Sequence, residues 1–269
     1  MLCAERVAAR PEFEISAVAC RSDHTRWSAP ELCGSYRVVL VRRGRFRRRA
    51  AGPPVDLDPS LGYLAAPGEE ESFAHPHGGD QCTSISVTAA LWHSLAGDRP
   101  APGPVYVDPA LDLAHRRVLA AARSADVDYA TAEQLLTLLA AAVARATTGP
   151  SPAVATGSDR AVVAAARAAI VADHPAATTL FALAELLEVS PYRLSRAFPR
   201  ELGVSITHYR HRVRLGRALD RLENGEPSLS ALAADLGYAD QAHLTRTFRR
   251  HLGHTPNTLR RLLTRIDRA

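Results

Sequence analysis

Two segments of the chain, fifty residues apart, are near copies of one another: RLSRAFPRELGVSI from Arg193 and HLTRTFRRHLGHTP from His243. At that offset Leu194 aligns with Leu244, Arg196 with Arg246, Phe198 with Phe248, Arg200 with Arg250, and Leu202-Gly203 with Leu252-Gly253. Apolar residues recurring every four positions fall on one face of an α-helix, so the repeat predicts one helical unit used twice.

The flanking residues sharpen that unit. In the first copy TLFALAELLEV reads as a helix, Ser190 as the N-cap of the next one, and Pro191 as its first residue, where a missing N–H costs nothing. Burying Leu194, Phe198 and Leu202 leaves Tyr192, Arg193, Ser195 and Arg196 on or near the opposite side. In the second copy Ser228 caps LSALAADL, Gly237 supplies the turn and Asp240 caps the next helix. There Leu244, Phe248 and Leu252 repeat the stripe and Gln241, Ala242, Thr245, Arg246 and Arg249 point outward. Two short helices joined by a three- or four-residue turn, the second offering Gln, Thr and Arg from its N-terminal half, present side chains as a helix-turn-helix does to a major groove. A helical bundle with a basic solvated face is the alternative, and duplication of both capped helices argues against it. Pro199 removes a backbone donor inside the first outward-facing helix at a cost of about 3 kcal/mol, which predicts a kink or a shortened C-terminal end.

Charge follows the same division. Of 33 arginines, 17 lie from Ser158 onward against 11 acidic residues, while the first 157 residues carry 16 against 17. The basic part is the repeated part. There is no lysine, so every phosphate contact falls to arginine, whose fork of donors suits phosphate and guanine.

Length and a 46% hydrophobic content indicate one large or two ordinary domains with packed cores. No window reaches the ~18 to 20 apolar residues of a membrane span, and Glu5 and Arg10 interrupt the start where a signal peptide needs an apolar run, so a soluble cytoplasmic protein with no membrane partner is expected. Cys3, Cys20, Cys33 and Cys82 are widely spaced and read as reduced thiols.

Residues 11 to about 105 read as β structure, with FEISAVAC, YRVVLVRRGRFRRR, LGYLAAP and CTSISVTA as short strands between Gly, Pro and Asp clusters, the pattern of a sandwich or barrel. Gly44 would be a hairpin tip flanked by Arg42, Arg43, Arg45, Arg47, Arg48 and Arg49 on solvated faces. After GDRPAPGPVYVDP the period changes to helical. ALDLAHRRVLAAARSA and TAEQLLTLLAAAVARA follow, the second opened by Thr131 with Gln134 at capping-box spacing. Its Leu135, Leu136, Leu138, Leu139 and Val143 either pack on the β unit or form a dimer seam. Thr147 to Gly157 reads as a linker. The fold class is thus multidomain α and β.

The stretch from LAELLEVSPYRLSRAF to LGYADQAHLTRTFRRHLGHTPNTLRR resembles the DNA-binding domain of AraC/XylS-type transcription regulators across about 100 residues, Gly237, Phe248, Gly253 and Pro256 included. The resemblance implies two helix-turn-helix units, about 176–203 and 228–253, within a domain at 158–269. A long helix, roughly Ile206 to Leu222, would set them about one 34 Å helical repeat apart. It assigns base reading to Tyr192, Arg193, Ser195 and Arg196, and to Gln241, Ala242, Thr245 and Arg246. It also implies a cupin-like effector-sensing barrel at 1–105, a helical dimerisation segment at 106–150 and a linker at 151–157. The partners implied are double-stranded DNA, a small-molecule or metal effector, a second copy of the chain, and RNA polymerase if the protein activates.

Two local pairs in the sensor region are candidate ligands for zinc or another borderline-soft metal: Cys20 with His24 in CRSDH, and His75 and His77 with Cys82 in HPHGGDQC. The four-ligand set would be Cys20, His24, His75 and Cys82, making the chain a metal- or thiol-responsive regulator. A cupin metalloenzyme fused to a DNA-binding domain is a further alternative, but Glu69, Glu70 and Glu71 with His75 and His77 fit its ligand set poorly. A cysteine alkyl acceptor would need a dense cysteine cluster. A regulator without catalysis is the reading carried forward.

Overall fold

The computed structural model describes residues 2–21, 24–97, 103–124, 126–148 and 157–264. The chain divides into two compact units, Met1–Thr147 together with Arg221–Ala269, and Thr148–Asp220. Most of the expected linker, 149–156, lies outside the described residues.

Among the described residues the first unit begins with ten strands: β1 (Leu2–Arg10), β2 (Phe13–Cys20), β3 (Glu31–Leu32), β4 (Tyr36–Arg43), β5 (Phe46–Arg49), β6 (Val55–Leu57), β7 (Leu61–Ala65), β8 (Glu70–Ala74), β9 (Asp80–Val87) and β10 (Gly103–Tyr106). They form a six-stranded sheet ordered β1-β2-β9-β4-β7-β10 and a four-stranded sheet ordered β3-β8-β5-β6, all pairs antiparallel. Two antiparallel sheets agree with the sandwich or barrel that the strand pattern predicts. The space between the sheets holds buried charge: Glu71 accepts from Arg48 at 2.6 Å and also bonds Arg37, while the Arg48 guanidinium lies 4.3 Å from the centre of the Tyr63 ring.

Two features of this region differ from the sequence reading. Gly44 is not a hairpin tip: β4 pairs with β7 and β9, whereas β5 pairs with β6 and β8, so the chain changes sheets at that glycine. A side chain there would meet the Gly79 carbonyl at 2.3 Å, and φ is +73°, which together require glycine. The arginines around it are accordingly not all solvated. Arg48 is buried against Glu71 and Arg42 donates to Glu223 at 2.7 Å. The β region is also interrupted by helix α1 (Ala89–Ala96), started by Thr88, whose Oγ1 accepts from Leu91 N, and held down by the buried Trp92.

The other face of the large sheet carries α2 (Pro109–Arg123) and α3 (Ala132–Thr148). Asp108 caps α2, accepting from Leu111 N at 2.8 Å, with Pro109 in the first turn. Ile15, Val38, Leu40, Leu64 and Ile85 of the sheet meet Leu111, Val118, Leu135, Leu138, Leu139 and Val143 of these helices in one apolar core. Of the two uses expected for the stripe, Leu135, Leu138, Leu139 and Val143 show packing on the β unit, while Leu136 is exposed. Each fully buried leucine contributes about 1.5–3 kcal/mol. Thr131 does not open α3: a turn of π-helix, Val127–Thr131, precedes it. The cap is Asp126, whose Oδ1 accepts from Tyr129 N at 3.0 Å, while the Thr131 hydroxyl is spent on the Asp126 carbonyl at 2.8 Å.

The remaining helices are α4 (Gly157–Val171), α5 (Leu180–Leu186), α6 (Pro191–Leu202), α7 (Ile206–Glu223), α8 (Leu229–Asp235), α9 (Gln241–Leu252) and α10 (Pro256–Leu263). The long α7 has the extent read from the sequence. No helix among the described residues is long and apolar enough to cross a membrane.

Candidate nucleic-acid interface

The two repeated helix pairs are α5–α6 and α8–α9. Both first helices end in the same hydrogen-bonded turn: Val189 N donates to Ala184 O at 3.0 Å and Glu188 N to Glu185 O at 3.0 Å. Tyr238 N likewise donates to Ala233 O at 2.9 Å and Gly237 N to Ala234 O at 3.0 Å. The left-handed position of that turn is Glu188 in the first pair (φ +53°) and Gly237 in the second (φ +71°). The connection is residues 187–190 in the first pair and one residue longer, 236–240, in the second.

The second helices match in length and in both ends. Ser190 Oγ accepts from Arg193 N at 3.1 Å, and Asp240 Oδ1 accepts from His243 N at 2.6 Å. Gly203 and Gly253 close α6 and α9 in the left-handed conformation, φ +73° and +71°. Each helix spans twelve residues. Pro199 therefore does not shorten α6. It sits on the exposed side, where water can satisfy the carbonyl it leaves without a donor, and the buried Phe198 and Leu202 hold the last turn in register. Leu194, Phe198, Leu202, Leu244, Phe248 and Leu252 are all buried, and the Phe198 ring meets Tyr209 of α7 edge-on at 5.6 Å.

The outward residues differ between the copies. On α6, Tyr192 is 76% exposed and Arg196 is exposed, Ser195 is half-buried, and Arg193 is engaged internally, bonded to Ser158 Oγ with its Nε 3.5 Å from Asp159. On α9, Gln241, Ala242, Arg246 and Arg249 are exposed and Thr245 is half-buried, its hydroxyl donating to the Gln241 carbonyl at 2.9 Å. Among the described residues Arg196, Arg246 and Arg249 have no ion-pair partner, in contrast to Arg193, Arg217 and Arg221. Their guanidinium forks are therefore available to an external anion or base edge.

The second pair is bound to the β unit within one compact body. Arg117 of α2 lies 3.1 Å from His254 Nε2, and Arg123 donates to the Leu263 carbonyl at 3.3 Å. Glu223, at the end of α7, accepts from Arg42 of β4 and from Arg116 of α2.

The metal candidates fall at one end of the β unit. Cys20, His75 and Asp80 are gathered with one ligand atom of each within 4.8 Å of the others. Cys82 donates to Asp80 Oδ2 at 3.0 Å, and burial together with that carboxylate pushes its thiol pKa far up. His24 is not in the group: its Nδ1 lies 2.9 Å from the Arg26 carbonyl, although its ring edge meets His75 at 5.9 Å. His77 faces Arg45 at 2.8 Å, and burial followed by that charge lowers its pKa. Sequence reasoning missed Asp80. Its signal was present, since Asp80 and Cys82 are two apart in a strand and so share a face.

Residues 183–262 match the family model described as a helix-turn-helix domain. Over 92 residues the chain is 37% identical to the HTH-type transcriptional regulator RipA of Corynebacterium glutamicum, a match covering 34% of this chain and 28% of that protein. It is 27% identical over 92 residues to the arabinose operon regulatory protein of Escherichia coli, covering 34% of this chain and 32% of that one. The matched stretch thus spans less than a third of either relative. Among solved structures, the C-terminal domain of the response regulator AraT of Geobacillus stearothermophilus is 31% identical with a TM-score of 0.37, covering 40% of this chain and 90% of that domain. The likeness lies in residues 183–262, the stretch that matches the helix-turn-helix domain model.

Proposed function

We propose that the chain is a transcription regulator that binds double-stranded DNA through α6 and α9 and answers to an effector sensed by its N-terminal β unit. The observation that carries the DNA reading is the set Gln241, Arg246 and Arg249, exposed on one capped helix with both arginines unpaired among the described residues. Arg246 suits the O6 and N7 acceptors of guanine and Gln241 the adenine edge, while Arg249 and Arg196 suit phosphates. Tyr192 and Ser195 contribute to the first surface, and Ala242 and Thr245 offer apolar contact to thymine methyl groups. Arg193 is the weaker member, since Asp159 competes for it. In this reading a homodimer engages paired half-sites and meets RNA polymerase where it activates, and no catalysis is involved.

Effector control is supported by the joining of β4 and α2 to the end of α7 through Glu223, which gives a change in the sheet a route to that helix end. The test is fluorescence anisotropy of the full chain with duplex fragments from upstream of its own gene against shuffled duplexes. A preference of about 10³-fold or more is expected, with affinity falling linearly in log salt at about 0.9 per phosphate neutralised. Equal binding to both duplexes would remove the reading.

A further inference from the structure

Cys20 and Asp80 are directly opposed residues in the β2–β9 ladder, and Cys82 lies two pairs further along, on the same face. His75 reaches this face from the loop after β8, and its position is fixed from several sides. Its backbone N–H donates to the His24 carbonyl at 3.0 Å, its Nδ1 lies 2.7 Å from Asp80 Oδ1, and the Phe46 ring stacks on its imidazole at 5.9 Å. Gly79 lets the loop close: a Cβ there would fall 2.2 Å from the Cys20 carbonyl. Cys20, Asp80 and Cys82 are buried, and His75 closes the solvent side with 13% of its side chain exposed.

We infer that Cys20, His75 and Asp80 bind a zinc-class divalent cation, with Cys82 positioning the Asp80 carboxylate and a fourth coordination place left open. Thiolate, imidazole and carboxylate are the donor types of zinc. Bonds of about 2.0–2.3 Å put tetrahedral ligands about 3.3–3.8 Å apart, so a group already within 4.8 Å needs only about 1 Å of contraction. One thiolate and one carboxylate neutralise the cation, which matters where three of the four groups are out of water. Three protein ligands with one open place are the arrangement of a site that exchanges a ligand, in contrast to a closed structural site. The cation as effector rests on the regulator reading above; the site itself does not.

The test is titration of the reduced full chain with Co²⁺, reading the thiolate-to-cobalt charge-transfer absorption, followed by displacement with Zn²⁺. One equivalent is expected to give the band and zinc to abolish it. Cys20→Ser should remove the band, Asp80→Asn should weaken binding about 10–100-fold or more, and Cys3→Ser and His24→Ala should leave it unchanged, each variant being checked for native circular dichroism. Absence of a band in the wild-type chain, or a band that survives Cys20→Ser, would overturn the site. Asp80→Asn, which keeps all thiols, decides the matter if Cys20→Ser fails to fold. Anisotropy with an upstream duplex, with and without Zn²⁺, reads the effector role separately. A changed affinity supports it; cobalt binding with unchanged DNA affinity overturns it and leaves the site standing. Cobalt binding with no DNA preference in either condition overturns the regulator reading instead.

Discussion

Arg116 of α2 donates to Glu223 at the end of α7 across 2.8 Å, joining residues 107 apart in the chain. Glu223 also takes Arg42 at 2.7 Å, and Arg116 donates to Asp112 at 2.9 Å, so two arginines and two acids form one largely buried network. Removing one partner strands charge out of water. Glu223→Ala is expected to destabilise the unit by about 3–5 kcal/mol, read by chemical denaturation. A loss within the range of a surface pair would show that the network contributes no more than an exposed one.

The two turns supply a second prediction. Glu188 occupies a left-handed position that Gly237 fills in the other copy, and a side chain there costs about 1 kcal/mol. Glu188 is exposed, so its side chain has no packing to lose. Glu188→Gly should raise stability by about 0.5–1 kcal/mol, seen as a higher denaturation midpoint with unchanged slope.

His115 gives a pH signature. It is buried in α2 with no hydrogen-bond partner at Nε2 among the described residues, and burial followed by the Arg42 charge lowers its pKa from 6.5 to about 3. The folded state therefore holds it neutral while the unfolded chain takes up a proton below pH 6.5. The stability it contributes is complete above that value and is lost progressively as pH falls toward 3, at up to about 1.4 kcal/mol per pH unit. His115→Leu should flatten this slope in denaturation measurements across the window. An unchanged slope would place the acid sensitivity elsewhere.

What the sequence made legible were the features that local chemistry decides. Ser190, Asp240, Gly203 and Gly253 cap the same helix ends wherever those helices pack, and the Leu-Phe-Leu stripes need only an apolar neighbour. What it hid depends on partners distant in the chain. Gly44 has the same local signature at a hairpin tip as at a corner between sheets, and only the approach of Gly79 separates them. Arg48 resembles its solvated neighbours until Glu71 is brought to it. Asp80 becomes part of a candidate metal site through its pairing with Cys20, sixty residues earlier, and Thr131 lost its cap role because Asp126 began the helical turn sooner.

Arg249 and Arg246 are expected to fail differently. Arg249→Ala removes a phosphate contact, so affinity should fall about equally for all duplexes and the salt slope should drop by about one. A sequence-dependent loss would give Arg249 a base contact instead.

The most direct test of base reading by α9 is an anisotropy titration of wild-type and Arg246→Ala protein against a panel of single-base-pair substitutions in the preferred duplex. Arg246→Ala is predicted to lose about 1–3 kcal/mol on the preferred sequence and to stop discriminating at one base pair, keeping wild-type discrimination elsewhere. An equal loss on every member of the panel would contradict base reading by Arg246 and reduce α9 to a phosphate-binding surface.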